Sequence, residues 1–398
     1  MVTRRKFIQL SSLASASLLL PNFLYATDKK SLMEKSKEGK KIIMIQLNGG
    51  NDGLNTIVPF RNDVYYRERK TIGLKQQDLL TINDDIAFHK SLSGFKELYD
   101  NGNICLLNGV GYPNPDRSHF RSMDIWHSAS NSNEIVTTGW IGRYLDANCS
   151  NGEKASYAIE IDDTLSLAMK GQNVKGLAMK DPQRLFNTTT DPYFTALAQQ
   201  PHGTNDNIDY LFKTMTETIQ NAKYIYNQSK IYKTTLSYPD TALGKDLKMI
   251  AELIVSGIDT KIFYASHGSF DTHVNQLNQH AKLLQELGDA TNMLVKDLKN
   301  NNRFEEVIIV VFSEFGRRVA QNSSGGTDHG TSNNLFVIGS DLKQKGVYNQ
   351  MPDLTDLQEG DLKHQIDFRE VYATLLNNWM DTDAEKILRK KFSNLGFV

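Results

Sequence analysis

Five short apolar runs constrain this chain more than anything else in it: Lys41–Leu47, Ile104–Val110, Lys261–Ser266, Val307–Phe312 and Leu335–Ile338. Together they are rich in β-branched residues and bounded by glycine or asparagine, and they read as strands buried on both faces. Longer helical patterns lie between them. The clearest runs from His273 to about Leu298, where Val274, Leu277, Ala281, Leu284, Leu287, Leu294 and Leu298 recur on one stripe. Strands alternating with helices predict an α/β fold, with a mainly parallel central sheet covered by helices on both faces. The stretch at about 151–237 differs, being polar and rich in Asn, Thr, Gln and Tyr. It reads as an insertion or cap on a domain spanning 41–398, with its own helix near Asn207–Tyr232.

The amino terminus carries a separate message. Arg4 and Arg5 precede Lys6, Phe7 and Ile8, then an apolar stretch from Leu10 to Leu20 and a small residue at Ala26. Residues 1–26 read as a twin-arginine signal peptide and 27–40 as a solvated linker, so the expected location is the periplasm or the extracellular space. The apolar core is too short to span a bilayer, and no other stretch approaches a transmembrane run. The formal charge of -1 argues against a nucleic-acid partner. Cys105 sits within the apolar run Ile104–Leu107, so no structural disulfide to Cys149 is expected.

In open α/β sheets ligands bind beyond the carboxyl ends of strands. Four such places offer a carboxylate: Asp52 in Asn48–Asn55, Asp271 in His267–His273, Glu314 in Ser313–Arg318, and Asp328 ahead of the last strand. The chain has nine histidines, and His267, His273 and His329 all fall in these segments. Carboxylates and imidazoles are the ligands that divalent ions prefer, which makes Asp52, Asp271, His273, Glu314, Asp328 and His329 candidate metal ligands. A fifth segment, Pro115–Trp126, follows the strand Ile104–Val110 and reads as the start of a helix. Ser118 there is the candidate nucleophile, near free backbone amides that suit an anionic ester. Arg117, Arg121 and Arg317 are candidate clamps for a phosphate or sulfate. Structural roles compete: Asp116 or Ser118 as an N-cap, Asp271 to His273 as a helix cap, Asp328 to Gly330 as a turn. His127, His280 and Asp367 are read as surface or capping residues.

The motifs Leu-Asn-Gly-Gly-Asn-Asp-Gly (47–53), Ser-His-Phe-Arg-Ser (118–122), Phe-Asp-Thr-His (270–273), Ser-Glu-Phe-Gly-Arg (313–317) and Thr-Asp-His-Gly-Thr (327–331), behind a twin-arginine signal, resemble the bacterial domain-of-unknown-function family 1501. That family is similar, more distantly, to the alkaline phosphatase and sulfatase superfamily. The resemblance implies an alkaline-phosphatase-like fold with one or two divalent metals. It puts Asp52 in the place of the first-strand ligand and Ser118 in that of the nucleophile, with Asp271 and His273 following a middle strand. Glu314 stands where the superfamily has an aspartate, and His329 where it has the last histidine. Phe315 departs from the superfamily's Asp-His pair and removes a nitrogen ligand. Neither cysteine lies in the setting that sulfatases convert to formylglycine.

Two readings of function follow. One is an exported hydrolase of phosphate or related anionic esters, using zinc, manganese, calcium or magnesium to activate Ser118 or a water. The other is a non-catalytic scaffold that binds a glycan or a partner protein in the same cleft.

Overall fold

The strands form where the apolar runs are, because a run without polar alternation can be stable only with both faces covered. In the computed structural model, which describes residues 39–149, 155–198 and 206–398, they become β1 (Lys41–Leu47), β2 (Ile104–Gly111), β5 (Ile262–His267), β6 (Val307–Phe312) and β7 (Asn333–Ile338). Short strands join them: β3 (Ala158–Glu160), β4 (Leu177–Ala178), β8 (Gly346–Val347) and β9 (Ile366–Asp367). Residues 1–38, which hold the segment read as a signal peptide and most of that read as a linker, lie outside the described residues. No helix among the described residues is long and apolar enough to cross a membrane.

The chain divides into two units. Among the described residues the smaller comprises 39–41, 135–149, 155–198, 206–234 and 249–264; the larger comprises Ile42–Glu134, Thr235–Lys248 and Ala265–Val398. In the smaller unit β3 pairs in parallel with both β4 and the first half of β5. It also holds a helix at Asp206–Gln228, close to the one read at Asn207–Tyr232. In the larger unit the strand order is β8-β2-β7-β6-β1, with β9 also on β2. Strands β8 and β9 run parallel to β2, while β7 is antiparallel to both β2 and β6. The fold is therefore mixed α/β, its central sheet largely parallel with helices flanking it.

The reversal of β7 matters for the site. It brings the residues that precede β7 to the same sheet edge as those that follow β2 and β6. Chemistry-bearing side chains from before one strand and after two others thus share one edge.

Helices of the larger unit that bear on the site are α1 (Gly53–Thr56), α2 (Asp63–Glu68), α3 (Ser93–Asp100), α4 (His119–Ser128) and α5 (Gln276–Asn300). Helix α5 starts later than its pattern suggests. Val274 precedes it and Leu277 is on its outer face, both exposed, while polar Gln276 and His280 are buried. The stripe rotates because those two polar groups find partners inside: Gln276 bonds Asp52, and His280 Nε2 lies 2.9 Å from Asn51 Oδ1. His280 and His127 are accordingly interior residues, in contrast to the surface reading, and His127 Nε2 lies 3.1 Å from Gln46 Oε1. Asp367 does cap, forming a capping box at the start of the helix Phe368–Thr374. Cys105 and Cys149 are both buried, and no disulfide joins them.

Candidate metal centre

Helix α4 is seated by Trp126, whose ring stacks on Phe312 at 4.8 Å and on Phe368 at 4.2 Å. Ser122, one turn earlier, donates its hydroxyl to the Glu314 carbonyl at 2.6 Å and sits 2.8 Å from the Tyr112 hydroxyl. This seating places His119, the first residue of α4, against the Glu314 side chain, with Nδ1 2.8 Å from Oε1. The Glu314 carboxylate is buried and also accepts the Gly49 N–H at 2.8 Å. Gly49 has φ +115° and lies so close to the 270–271 backbone that a Cβ would fall 2.4 Å from the Asp271 nitrogen. The glycines of the first motif let this loop pass under the site.

His119, Asp271 and His329 offer ligand atoms that all lie within 4.8 Å of one another. His119 Nε2 is 3.5 Å from Asp271 Oδ1, and His329 Nε2 is 3.1 Å from the same oxygen. His273 stands beside this group, its Nε2 3.0 Å from Asp271 Oδ1 and 3.0 Å from His329 Nε2.

The tautomers follow from the partners. A carbonyl oxygen only accepts, so His329 Nδ1 donates to the Arg117 carbonyl at 2.9 Å, while its Nε2 lies 3.1 Å from Asp271 Oδ1. A carboxylate likewise only accepts, so His119 Nδ1 donates to Glu314, and His119 Nε2 is buried without a hydrogen-bond partner. Arg317 donates to His273 Nε2 at 3.4 Å, and His273 Nδ1 faces Asp328 Oδ1 at 3.5 Å. Burial lowers the His329 pKa, against the opposing bond to Asp271. The bond to Glu314 raises that of His119, against burial. Burial raises the Asp271 pKa, but the bonds from Arg317 and His329 outweigh it and bring the carboxyl to about 2.

Ring nitrogens of three imidazoles therefore surround one ionised carboxylate oxygen, and His119 Nε2 among them has no hydrogen-bond partner. A cation seated there would give that nitrogen a partner. Ligands 2.0–2.2 Å from a shared zinc stand roughly 3.3–3.6 Å apart in tetrahedral geometry, close to the 3.5 and 3.1 Å that separate His119 and His329 from Asp271 Oδ1. Two histidines and an aspartate with a position left open make a chemically apt set for zinc or a similar ion. The carboxylate behind His119 is the usual device for fixing a ligating imidazole.

The arginines have other work. Arg317 is buried and donates to the carbonyls of Gly49, Gly50, Phe270 and Thr327, and to Asp271 Oδ1 at 2.6 Å. It ties the ligand loops together and holds Asp271, rather than reaching outward as an anion clamp. Arg117 pairs with Asp361 and Glu359, its Nε 2.7 Å from Asp361 Oδ2. Arg121 donates to the carbonyl of Ser132 at 2.9 Å and so braces the loop after α4.

Asp52 lies beneath the cluster. It caps α1 through the Leu54 N–H, pairs with Arg69 at 2.6 Å, and accepts from Gln276 Nε2 at 2.5 Å, with both ionic side chains fully buried. Its carboxylate is satisfied by these protein donors, so the structure gives it a supporting place in contrast to the ligand role read from the sequence. Burial acts to raise its pKa, but the Arg69 charge and hydrogen bond prevail and the value is lowered.

Of the other sequence candidates, Asp271, His273 and His329 come together as ligand-bearing groups, and Glu314 stands behind His119. Asp328 is exposed at the edge. Ser118 is the exposed N-cap residue of α4, directly before His119, and its hydroxyl makes no cap bond. His267 is framework, its Nε2 3.0 Å from the Leu283 carbonyl. His119 was passed over although it lies in a quoted motif. The criterion that selected the other histidines, proximity to a strand end, would have found it.

Residues 39–392 match the family described as a protein of unknown function, DUF1501. The chain belongs to that family. Among curated proteins none matches the DUF1501 chain. Solved structures similar to it include the PsFucS1 sulfatase from Pseudoalteromonas sp., at 12% identity and TM-score 0.41, covering 98% of this chain and 74% of that one. The lipoteichoic acid synthase LtaP from Listeria monocytogenes is similar at 9% identity and TM-score 0.37, covering 83% and 75%. A TAB5 alkaline phosphatase mutant with bound Mg is similar at 11% identity and TM-score 0.34, covering 76% and 92%. Likeness at this level says nothing about chemistry, which has to come from the atoms of the site.

Proposed function

We propose that this DUF1501 chain is an exported metal-dependent hydrolase of phosphate or related anionic esters. One observation carries the reading: the unpartnered, buried His119 Nε2 faces the same carboxylate oxygen as His329 Nε2. His119, Asp271 and His329 would hold the ion, with His273 at hand as a further nitrogen. A divalent ion there supplies Lewis acidity toward an ester oxygen and acidifies a nearby water.

The chain's own residues prepare that chemistry. Glu314 and the Arg117 carbonyl orient two imidazoles through their Nδ1–H groups, and Arg317 keeps Asp271 ionised. Ser118 presents an exposed hydroxyl next to His119, as a nucleophile would. A polar cleft of about 270 Å³, lined by Tyr112, Asn114, Arg117, Thr331, Lys363 and His364, receives the rest of the substrate. Arg117 and Thr331 in its lining each stand two residues along the chain from a proposed ligand. The amino-terminal twin-arginine motif is the reason for placing the protein in the periplasm or outside the cell.

Elemental analysis of the exported protein tests this first, followed by turnover of aryl phosphate, phosphonate and sulfate esters. Stoichiometric divalent metal and hydrolysis lost in Ser118→Ala are expected; a wild type that takes up neither zinc nor manganese sinks the reading. The engagement of all three candidate arginines supports a second reading, a scaffold that binds a glycan or protein without turnover. It predicts metal-loaded protein that hydrolyses none of these esters and retains an oligosaccharide or a protein partner.

A further inference from the structure

We infer that Gln276 is a positioning residue that fixes the spacing between the loop carrying Asp271 and the loop carrying His329, and thereby the affinity of the centre for a divalent ion. This rests on the metal reading above.

The Gln276 side chain is fully buried at the first position of α5. Its amide orientation is settled by its neighbours. The amide oxygen cannot face a carboxylate, so Nε2 donates to Asp52 Oδ2 at 2.5 Å. Oε1 is then left to accept the Thr327 hydroxyl at 2.7 Å and the Thr272 hydroxyl at 3.3 Å. Thr272 lies between Asp271 and His273, and Thr327 lies two residues before His329. One oxygen atom thus pins both ligand loops, which also meet through the Thr327 N–H and the Thr272 carbonyl at 3.4 Å.

The anchor beneath is stiff. Asp52 is held by Arg69, whose guanidinium also reaches Asn55 Oδ1 at 2.9 Å and the carbonyls of Val319 at 2.9 Å and Arg318 at 2.8 Å. A buried polar network with every member satisfied has one geometry, because each alternative leaves a donor or acceptor unpaired in a dry interior. Gln276 transmits that single geometry to the loops that must bring their ligand atoms within about 3 Å of each other.

The test is a chelator-competition titration with zinc and with manganese on the full mature chain, comparing wild type with Thr327→Val, Thr272→Val, Gln276→Met and the control His329→Ala. Thermal midpoints are measured on the metal-free proteins in parallel. Valine keeps the shape of threonine and removes only the hydroxyl. We expect Thr327→Val to weaken metal binding by about 10-fold and Gln276→Met by up to about 100-fold, the range for residues that orient ligands. Thr272→Val, with the longer bond, has the smallest effect. Combining both threonine changes with Gln276→Met should add little to Gln276→Met alone. Lowered thermal midpoints with unchanged metal affinity would mean that Gln276 only stabilises the fold, and would overturn the inference. Should Gln276→Met not fold, Thr327→Val decides alone. A wild type without metal affinity removes the metal reading itself, whereas unchanged affinity in variants of a metal-binding wild type removes only the role of Gln276.

Discussion

Asp52 in the larger unit and Glu160 in the smaller are both carboxyl groups buried near the carboxyl end of a strand, and they are kept in opposite ways. Asp52 is buried with a cation: Arg69 stands 2.6 Å away, and Gln276 and the Leu54 N–H supply further donors. Glu160 has the backbone N–H of Ser166 at 2.7 Å, the Ser166 side chain and the charge of Lys170 to oppose desolvation, with no arginine paired to it among the described residues. Burial acts to raise both pKa values. It loses to Arg69 at Asp52, whose pKa falls, and wins at Glu160, whose carboxyl is pushed up to about 7. Of these two, the carboxyl whose counter-ion is buried with it is the one held ionised, and it lies beneath the candidate centre.

Removing the counter-ion is the strongest way to break this contrast. Arg69→Met leaves Asp52 charged and alone, and should cost about 3–5 kcal/mol by chemical denaturation, the usual penalty for breaking a buried pair. Glu160→Gln should be neutral or stabilising at pH 8; a loss like that of Arg69→Met would show that Glu160 has a buried cation after all. Next in size, Asp271→Ala and His329→Ala should each reduce zinc affinity by more than about 100-fold, read by the same competition titration, because a ligand rather than its support is removed. Glu314→Gln should lower it by roughly 10-fold, since an amide still contacts His119 without holding Nδ1–H as firmly.

Dependence on pH gives the smallest and most diagnostic effect. His280 and His89 are held neutral by burial, at about 3 and about 4. A histidine with a depressed folded pKa gives stability that is present above the unfolded value of about 6.5 and lost as pH falls toward the folded one. The larger unit should therefore weaken between about pH 6.5 and pH 4, and His280→Gln should flatten that decline. Glu160 has the opposite sign: its folded pKa is raised, so stability declines as pH rises from about 4.5 through about 7. Hydrogen exchange read separately for peptides of each unit checks both slopes.

The α/β class and the strands were legible because strand burial on both faces leaves a local mark, an unbroken apolar run. The strand-end criterion singled out Asp271, His273, Glu314 and His329, and the fold brings these four, with His119, to one place. Val274 and Leu277 misled, since helical spacing shows a stripe but not which polar residues have partners inside. Asp52 misled for the same reason: Arg69, seventeen residues on, carries no local sign that it will lie against it.

By itself the sequence determined which segments are buried strands and which strand ends bear ionisable groups, for these depend on neighbours along the chain. Only the tertiary structure decided which of those groups face one another. It set His119 against Glu314, bound Arg317 to four carbonyls, and put Gln276 between Asp52 and two threonines. Those choices are made by hydrogen bonds between residues far apart in the chain, formed because a polar group taken out of water must find its partner wherever the fold has placed one.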